Sequence, residues 1–271
     1  MDSNDIGNKE KISQWISSII PSDAHSIFDA FSGGCSVSYI AKLMGLKTIS
    51  NDILRINYHI AKAFIENNNI TLTPQDIDKI FEGIPFEGFM FHHYSYKYYY
   101  PEECMQLDLY RKNIEKLDNE YKQSLAFVLL RRAMIRKMPY SRFTINWDKI
   151  VQLRDEEYSY LHYGRRRAYH NKSFRFHFED NLQNYNMAIF DNHQKNIALN
   201  FDVFEAINYT DADVIYLDPP YAGTMNDYFG FYGLLDSYIY NIETKPFRNN
   251  FISKETINHC CPLKIAKRSL K

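Results

Sequence analysis

At 271 residues and 45% hydrophobic content, the chain can form one large domain, or a core domain carrying a substantial insertion. No apolar run approaches the length that spans a bilayer, and Met1 to Lys11 is too polar for a signal peptide, so a soluble cytoplasmic protein is expected. Cys35, Cys104, Cys260 and Cys261 form no CxxC pair and no disulfide spacing, and the adjacent cysteines beside His259 chelate poorly, so reduced thiols and no metal are expected.

In chain order, Ser26 to Phe31 reads as a short strand running into Ser32-Gly33-Gly34. Ser36 to Met44 has helical spacing, with Val37, Ile40, Ala41 and Met44 on one side, and Gly45 stops it. Leu46 to Ser50 reads as a second strand ending at Asn51-Asp52, and Ile53 to Asn67 as a helix. Strand, glycine turn, helix, strand and acidic residue form the first half of a doubly wound α/β domain. The stretch from Phe81 to Tyr100 is aromatic, and Glu102 to Lys137 reads as two helices with a break near Asp118-Asn119 and a stop at Pro139. From Tyr140 to about Asn186 no clear period survives. Strand signals return at Ala198 to Phe204 and at Asp213 to Leu217.

The charge is unevenly spread. Arg131 to His177 holds 12 Lys or Arg against 4 Asp or Glu, a local +8, while the rest of the chain carries 20 basic and 29 acidic residues. A basic surface on an acidic body is a frequent footprint of nucleic-acid binding, although a charge cluster is also the ordinary form of a solvated face.

The sharpest motif is Asp218-Pro219-Pro220-Tyr221, directly after the apolar run Val214 to Leu217. Ligands of open α/β sheets bind at the carboxyl ends of strands, where this tetrapeptide would sit. An aniline-like amine gives its lone pair to its ring. Asp218 accepting one amine hydrogen and the Pro219 carbonyl accepting the other would favour a pyramidal nucleophilic nitrogen and stabilise its developing positive charge. The two prolines remove N–H donors from the loop, and Tyr221 offers a face on which an extruded base can stack. The competing reading is a strand-end turn that Pro-Pro merely punctuates. Asp29 to Val37, with its small residues, suits close backbone approach to a cofactor. Asp52, about twenty residues on, suits a ribose diol, but is equally a helix N-cap for Ile53 onward.

The order Gly7-Asn8-Lys9, Asp29-Ala30-Phe31-Ser32-Gly33, Asn51-Asp52, Asp202 and Asp218 to Tyr221 resembles the Dam-type family of DNA adenine methyltransferases, across roughly Ile6 to Ile239. The resemblance implies a Rossmann-like sheet and S-adenosylmethionine as methyl donor. It places Lys9 on the methionine carboxylate, Phe31 and Gly33 in the methionine pocket, Asp52 on the ribose and Asp202 near the cofactor adenine. Asp29 and Asp218 complete that set. The family has Phe-x-Gly-x-Gly at the first turn, whereas Cys35 stands at the last position here.

The expected organisation is a methyltransferase core over 1–70 and 190–240, a mainly helical recognition insert over 71–189, and an atypical tail over 241–271. In the insert Arg136, Lys137, Arg142, Arg165, Arg166, Arg167, Lys172 and Arg175 are candidates for phosphates and guanine edges of duplex DNA. Tyr140, Tyr163, Tyr169, Phe174 and Phe176 interleave with these cations, and Leu125, Val128 and Leu129 read as core. The expected activity is methylation of adenine in duplex DNA within a restriction-modification system, beside a cognate endonuclease that makes no direct contact. Alternatives are an RNA or other amine methyltransferase, or an inactive DNA-binding remnant. The last gains weight because the stretch after Tyr240 shows no alternating run for the about three further strands such a sheet needs. Val214 to Leu217 is therefore expected to lack a neighbour, with Lys264 to Lys271 a basic tail.

Overall fold

Residues 13–141, 143–219, 228–241 and 264–267 are described by a computed structural model of the chain. The first stretch contains α1 (Ser13–Ile19), β1 (Ser26–Asp29), α2 (Ser36–Leu43), β2 (Lys47–Asn51), α3 (Arg55–Ala61), α4 (Pro74–Phe81), α5 (Phe89–Tyr94), α6 (Pro101–Ile114) and α7 (Glu120–Lys137). After it come α8 (Trp147–Arg154), α9 (Glu156–Tyr163), α10 (Phe174–Met187), β3 (Ile197–Leu199), α11 (Val203–Ala206), β4 (Val214–Leu217), α12 (Tyr228–Tyr240) and β5 (Lys264–Lys267).

The chain divides into two compact units, one up to Thr71 with Asn184–Asn226 and the stretch from Phe247, the other Leu72–Gln183 with Asp227–Pro246. α12, expected with the core, thus groups with the helical unit. Leu234, Leu235, Tyr238 and Ile239 are buried there, and the Tyr238 hydroxyl donates to the Leu107 carbonyl at 2.9 Å.

The first unit is built on a sheet of order β3-β2-β1-β4-β5. β1 pairs in parallel with β2 and β4, and β2 with β3. Both faces are apolar, as parallel sheets require. Ile27, Val214 and Tyr216 pack with Ile16, Val37 and Ala41 on one side. Phe28, Ile49 and Ala206 pack on the other, with Ile215 and Leu217 against them. At the sheet's N-terminal end Asp213 accepts the His25 and Ser26 backbone N–H groups at 2.8 and 2.9 Å, setting β4 beside β1.

Two expectations are corrected here. α2 buries Val37, Ser38, Ala41 and Lys42, while Met44 is exposed. Lys42 belongs inside because its Nζ donates to the Phe64 and Asn67 carbonyls, at 3.1 and 2.8 Å, where a π-helical turn (Lys62–Glu66) prolongs α3 and ends. The second correction concerns the sheet edge: Val214–Leu217 does have a neighbour. β5 pairs with it antiparallel, Leu217 opposite Lys264 and Val214 opposite Lys267. A strand of four residues is held by its ladder rather than by a long alternating pattern, so it reads as tail. Of the further strands expected after β4, this one lies among the described residues.

The second unit is helical. Thr73 and Asp76 form a capping box ahead of Pro74, and Pro101 opens α6. Leu125, Val128 and Leu129 are core, as expected. The stretch from Tyr140 onward, which lacks a period, nevertheless contains α8, α9 and most of α10. α8 and α9 are short and defined by their caps: Asn146 accepts from the Lys149 N–H, and Asp155 from Glu157 and Tyr158. α8 buries Ile150 and Leu153 beside Arg154, and α9 buries Ser159, too few apolar residues for a spacing to mark them.

Candidate functional site

The carboxyl ends of β1, β2, β3 and β4 gather the acidic residues that the sequence singles out. β1 and β4 are adjacent in the sheet, and strand order reverses between them, the usual position of a ligand crevice.

After β1 the backbone stays tied to the sheet for some residues. The Ala30 N–H donates to the Tyr216 carbonyl at 3.1 Å, and Ser32 to the Asn51 carbonyl at 2.9 Å. Gly33 then adopts φ +51, and a Cβ placed on it would meet nothing within 4 Å, so the turn is open on that side. Cys35 follows at φ 60, ψ 24 and caps α2 by its backbone. Glycine is the residue suited to that conformation, so Cys35 holds it at a cost of about 1–2 kcal/mol.

Asp52 clamps two turns together. Its Oδ2 accepts the Gly33 N–H and its Oδ1 the Leu54 N–H, each at 2.8 Å, and the Asn57 side chain adds a further bond. Burial raises its pKa, and these three hydrogen bonds oppose the rise. The N-cap of α3 is Leu54 rather than Asp52, which instead ties the turn before that helix to the glycine turn.

Asp29 is buried and works from beneath. Its Oδ2 accepts from Ser38 Oγ at 2.6 Å, and Ser38 accepts from Ser50 Oγ at 2.7 Å, joining β1, α2 and β2. Phe31 packs partly buried against the sheet. Asp202 is exposed just beyond β3 and caps α11, accepting the Phe204 N–H at 2.9 Å. Asp218 and Pro219 follow β4 and are half-buried. Lys9, Pro220, Tyr221 and Arg142 lie outside the described residues.

Sequence reasoning gave Asn51 no role of its own and missed Asn200. The Asn51 amide donates to the Ala30 and Phe201 carbonyls at 3.2 and 3.1 Å and accepts the Phe201 N–H, stitching three strand ends. Asn200 donates to the carbonyls of Asp52 and Ile53, at 2.7 and 3.1 Å. An asparagine at a buried strand end is the only signal the sequence offers for them.

In the second unit the basic candidates separate by partner. Lys137 is buried, its Nζ 2.8 Å from Glu103 and 2.7 Å from the Lys172 carbonyl, so it serves the interior and is withdrawn from the DNA set. Arg154, also buried, shares Glu103 at 2.7 Å. Burial pushes the Glu103 pKa up, but Arg154 and Lys137 outweigh it and hold the carboxyl below its usual range. Arg175 is exposed yet paired with Asp78 and Glu179. Arg165, Arg166 and Lys172 are exposed, and Arg136 and Arg167 partly so. Tyr140, Tyr163, Tyr169 and Phe176 are exposed, whereas Phe174 is core. Among the described residues no cluster of His, Cys, Asp or Glu could hold a metal ion, and no helix is long and apolar enough to cross a membrane.

Comparison with known proteins agrees with this geometry. The family model for D12 class N6 adenine-specific DNA methyltransferases matches residues 6–261. The chain is 59% identical over 251 residues to the Type II methyltransferase M2.HphI of Haemophilus parahaemolyticus, covering 93% of this chain and 75% of that protein. It is 28% identical over 256 residues to the Type II methyltransferase M.FokI of Planomicrobium okeanokoites, covering 86% of this chain and 36% of that protein. No solved structure matches.

Proposed function

This chain belongs to the D12 class of N6 adenine-specific DNA methyltransferases, and we propose that it takes the methyl group from S-adenosylmethionine and works in a Type II restriction-modification system. The observation that carries the reading is the meeting of Gly33, Asp52 and Asp218 at strand ends around the β1/β4 reversal.

The residues present suit that cofactor. The turn at Gly33 is open where a ligand would approach, Asp52 presents a buried carboxylate whose oxygens keep lone pairs for ribose hydroxyls, and Phe31 supplies an apolar flank. Lys9 would hold the methionine carboxylate, and Asp202 would stand near the adenine. Asp29, turned inward, acts as a positioning residue through Ser38. When bound, S-adenosylmethionine supplies an electrophilic sulfonium methyl.

The chain's own part concerns the target amine. Asp218 accepts one N6 hydrogen and the Pro219 carbonyl the other, concentrating the lone pair on nitrogen and stabilising the charge it gains. Tyr221 stacks on the adenine once it is outside the duplex. Arg136, Arg142, Arg165, Arg166, Arg167, Lys172 and Arg175 form the DNA-facing set, mostly on phosphates. The names of both relatives as Type II methyltransferases support a role in a restriction-modification system, and the reading adds an endonuclease of matching specificity that the chain does not touch. The buried free thiols of Cys35 and Cys104 fit work in a reducing cytoplasm. The test is transfer of tritiated methyl to synthetic duplexes followed by nucleoside analysis. N6-methyladenine is expected. Label on cytosine, or on RNA alone, would overturn the reading.

A further inference from the structure

Three non-glycine residues of the second unit hold left-handed backbone conformations close to one contact. Tyr140 and Ser141 have φ 58 and 55, and Arg167 has φ 53. The Arg167 guanidinium lies over the Tyr140 ring, 4.8 Å from its centroid, and over the Tyr163 ring at 5.1 Å. Each such residue costs on the order of 1–2 kcal/mol and persists only where its surroundings impose it.

The surroundings do impose it. Gly164, at φ 65, ends α9 three residues before Arg167. On the other side the backbone is pinned from below at successive residues. The His177 ring donates to the Tyr169 carbonyl at 2.8 Å, and the His170 ring to the Arg136 carbonyl at 2.9 Å. The Asn171 amide donates to the Arg154 carbonyl at 2.9 Å, and Lys137 to the Lys172 carbonyl at 2.7 Å. A buried polar layer thus fixes the segment that displays Arg167.

Charge gives the second observation. Lys149 also lies over the Tyr163 ring, at 5.6 Å, and donates to its hydroxyl at 3.0 Å. Two cations therefore share one ring, and neither forms an ion pair among the described residues. Lys137, Arg154 and Arg175 all do. Such an arrangement leaves positive charge open to an external electron-rich partner. Both rings lie against the Arg167 guanidinium, and its Nε is buried without a hydrogen-bond partner. The terminal Nη groups are what remain for a ligand, one of them only in a long 3.5 Å contact with the Tyr140 hydroxyl.

We propose that Arg167, held against Tyr140 and Tyr163, is a specificity-determining residue that reads the O6 and N7 acceptors of a guanine in the recognised sequence. The proposal rests on the reading of this chain as acting on duplex DNA. A guanidinium held by two rings, with its terminal N–H groups left to a ligand, matches that acceptor pair, whereas the exposed Arg165 side chain suits phosphate.

The test uses the full chain. Long-read sequencing of DNA methylated by the wild type defines the motif, and binding is then measured to duplexes with and without it. Arg167→Ala and Arg167→Lys should each lose about 5- to 150-fold in discrimination between the two duplexes, with little change in salt dependence. Arg165→Ala should weaken both duplexes alike and lower the salt slope by about 0.9. Replacing each guanine of the motif in turn by 7-deazaguanine should weaken wild-type binding at one position, and Arg167→Ala should be indifferent there. This arm on wild-type protein stands even if a variant folds poorly. A motif without guanine, insensitivity to every 7-deazaguanine, or Arg167 variants that weaken both duplexes alike would overturn the proposal. If neutralising Arg165, Arg166 and Arg167 together leaves DNA binding untouched, the DNA-facing reading of this surface fails as well.

Discussion

Asp52→Ala separates a clamp from a mere ligand contact. Asp52 accepts the Gly33 and Leu54 N–H groups at 2.8 Å each. Hydrogen bonds to a charged group contribute about 1.5–3 kcal/mol apiece, so losing both removes about 3–6 kcal/mol. Relief from burying a carboxylate, together with entry of water, offsets roughly half of that. The expected loss is about 1.5–3 kcal/mol of folding stability in the absence of any cofactor. Because burial raises the Asp52 pKa, the folded state holds this proton more tightly than the unfolded chain does. That contribution is therefore greatest at acid pH and is lost as pH rises above the reference value of 3.8, so the comparison belongs at neutral pH. Urea melts of the ligand-free chain give the first number. Calorimetry with S-adenosylhomocysteine gives the second, expected to fall by about 1–3 kcal/mol for the lost ribose contact. An unchanged melt would refute the clamp, and unchanged affinity would move the ribose site elsewhere.

Further expectations follow from groups around the two units. Cys35→Gly should stay within about 1 kcal/mol of the parent in urea melts, whereas Cys35→Val, β-branched at φ 60, should cost about 2 kcal/mol or more; equal effects would contradict the left-handed turn. Lys42 is buried and its pKa is lowered to about 8 by burial, against a smaller opposing effect of Asp191. The folded chain thus releases this proton more readily than the unfolded one, and stability should rise by on the order of 1–3 kcal/mol as pH rises from 8 towards 10.5. That rise should vanish in Lys42→Met, and its persistence would assign it to other groups. Glu103→Gln leaves the buried Lys137 and Arg154 without their shared anion and should cost about 3–5 kcal/mol, partly recovered by adding Lys137→Met. A stable Glu103→Gln chain would show that water satisfies both cations.

Legibility tracked how local each cause is. The strands at Ile27-Phe28 and Val214 to Leu217, the glycine stop after α2, and the break near Asp118-Asn119 are written in short apolar runs and turn residues. The same holds for Gly33 and Asp52, which stand one strand apart with their spacing intact. What the sequence concealed depends on partners distant in the chain. Lys42 reads as the solvent side of α2, yet two carbonyls some twenty residues on draw it inside. Lys137 counts as one of a run of cations until Glu103 claims it. α8 buries two apolar side chains beside Arg154, and α9 buries Ser159, so apolar periodicity misses them. β5 is too short to carry a pattern and takes its identity from pairing with β4.

Asp218, the acceptor at the end of β4, carries the proposed chemistry. DNA from a methylation-free host expressing the wild-type chain or Asp218→Ala, compared by long-read sequencing with methyl-transfer rates on the motif so found, tests it directly. The wild type should mark adenine at one motif. Asp218→Ala should lose about 10²–10³ in rate, by analogy with removal of a preorganised transition-state hydrogen-bonding group, while binding the same duplex. Adenine methylation by Asp218→Ala at close to the wild-type rate would contradict the assignment.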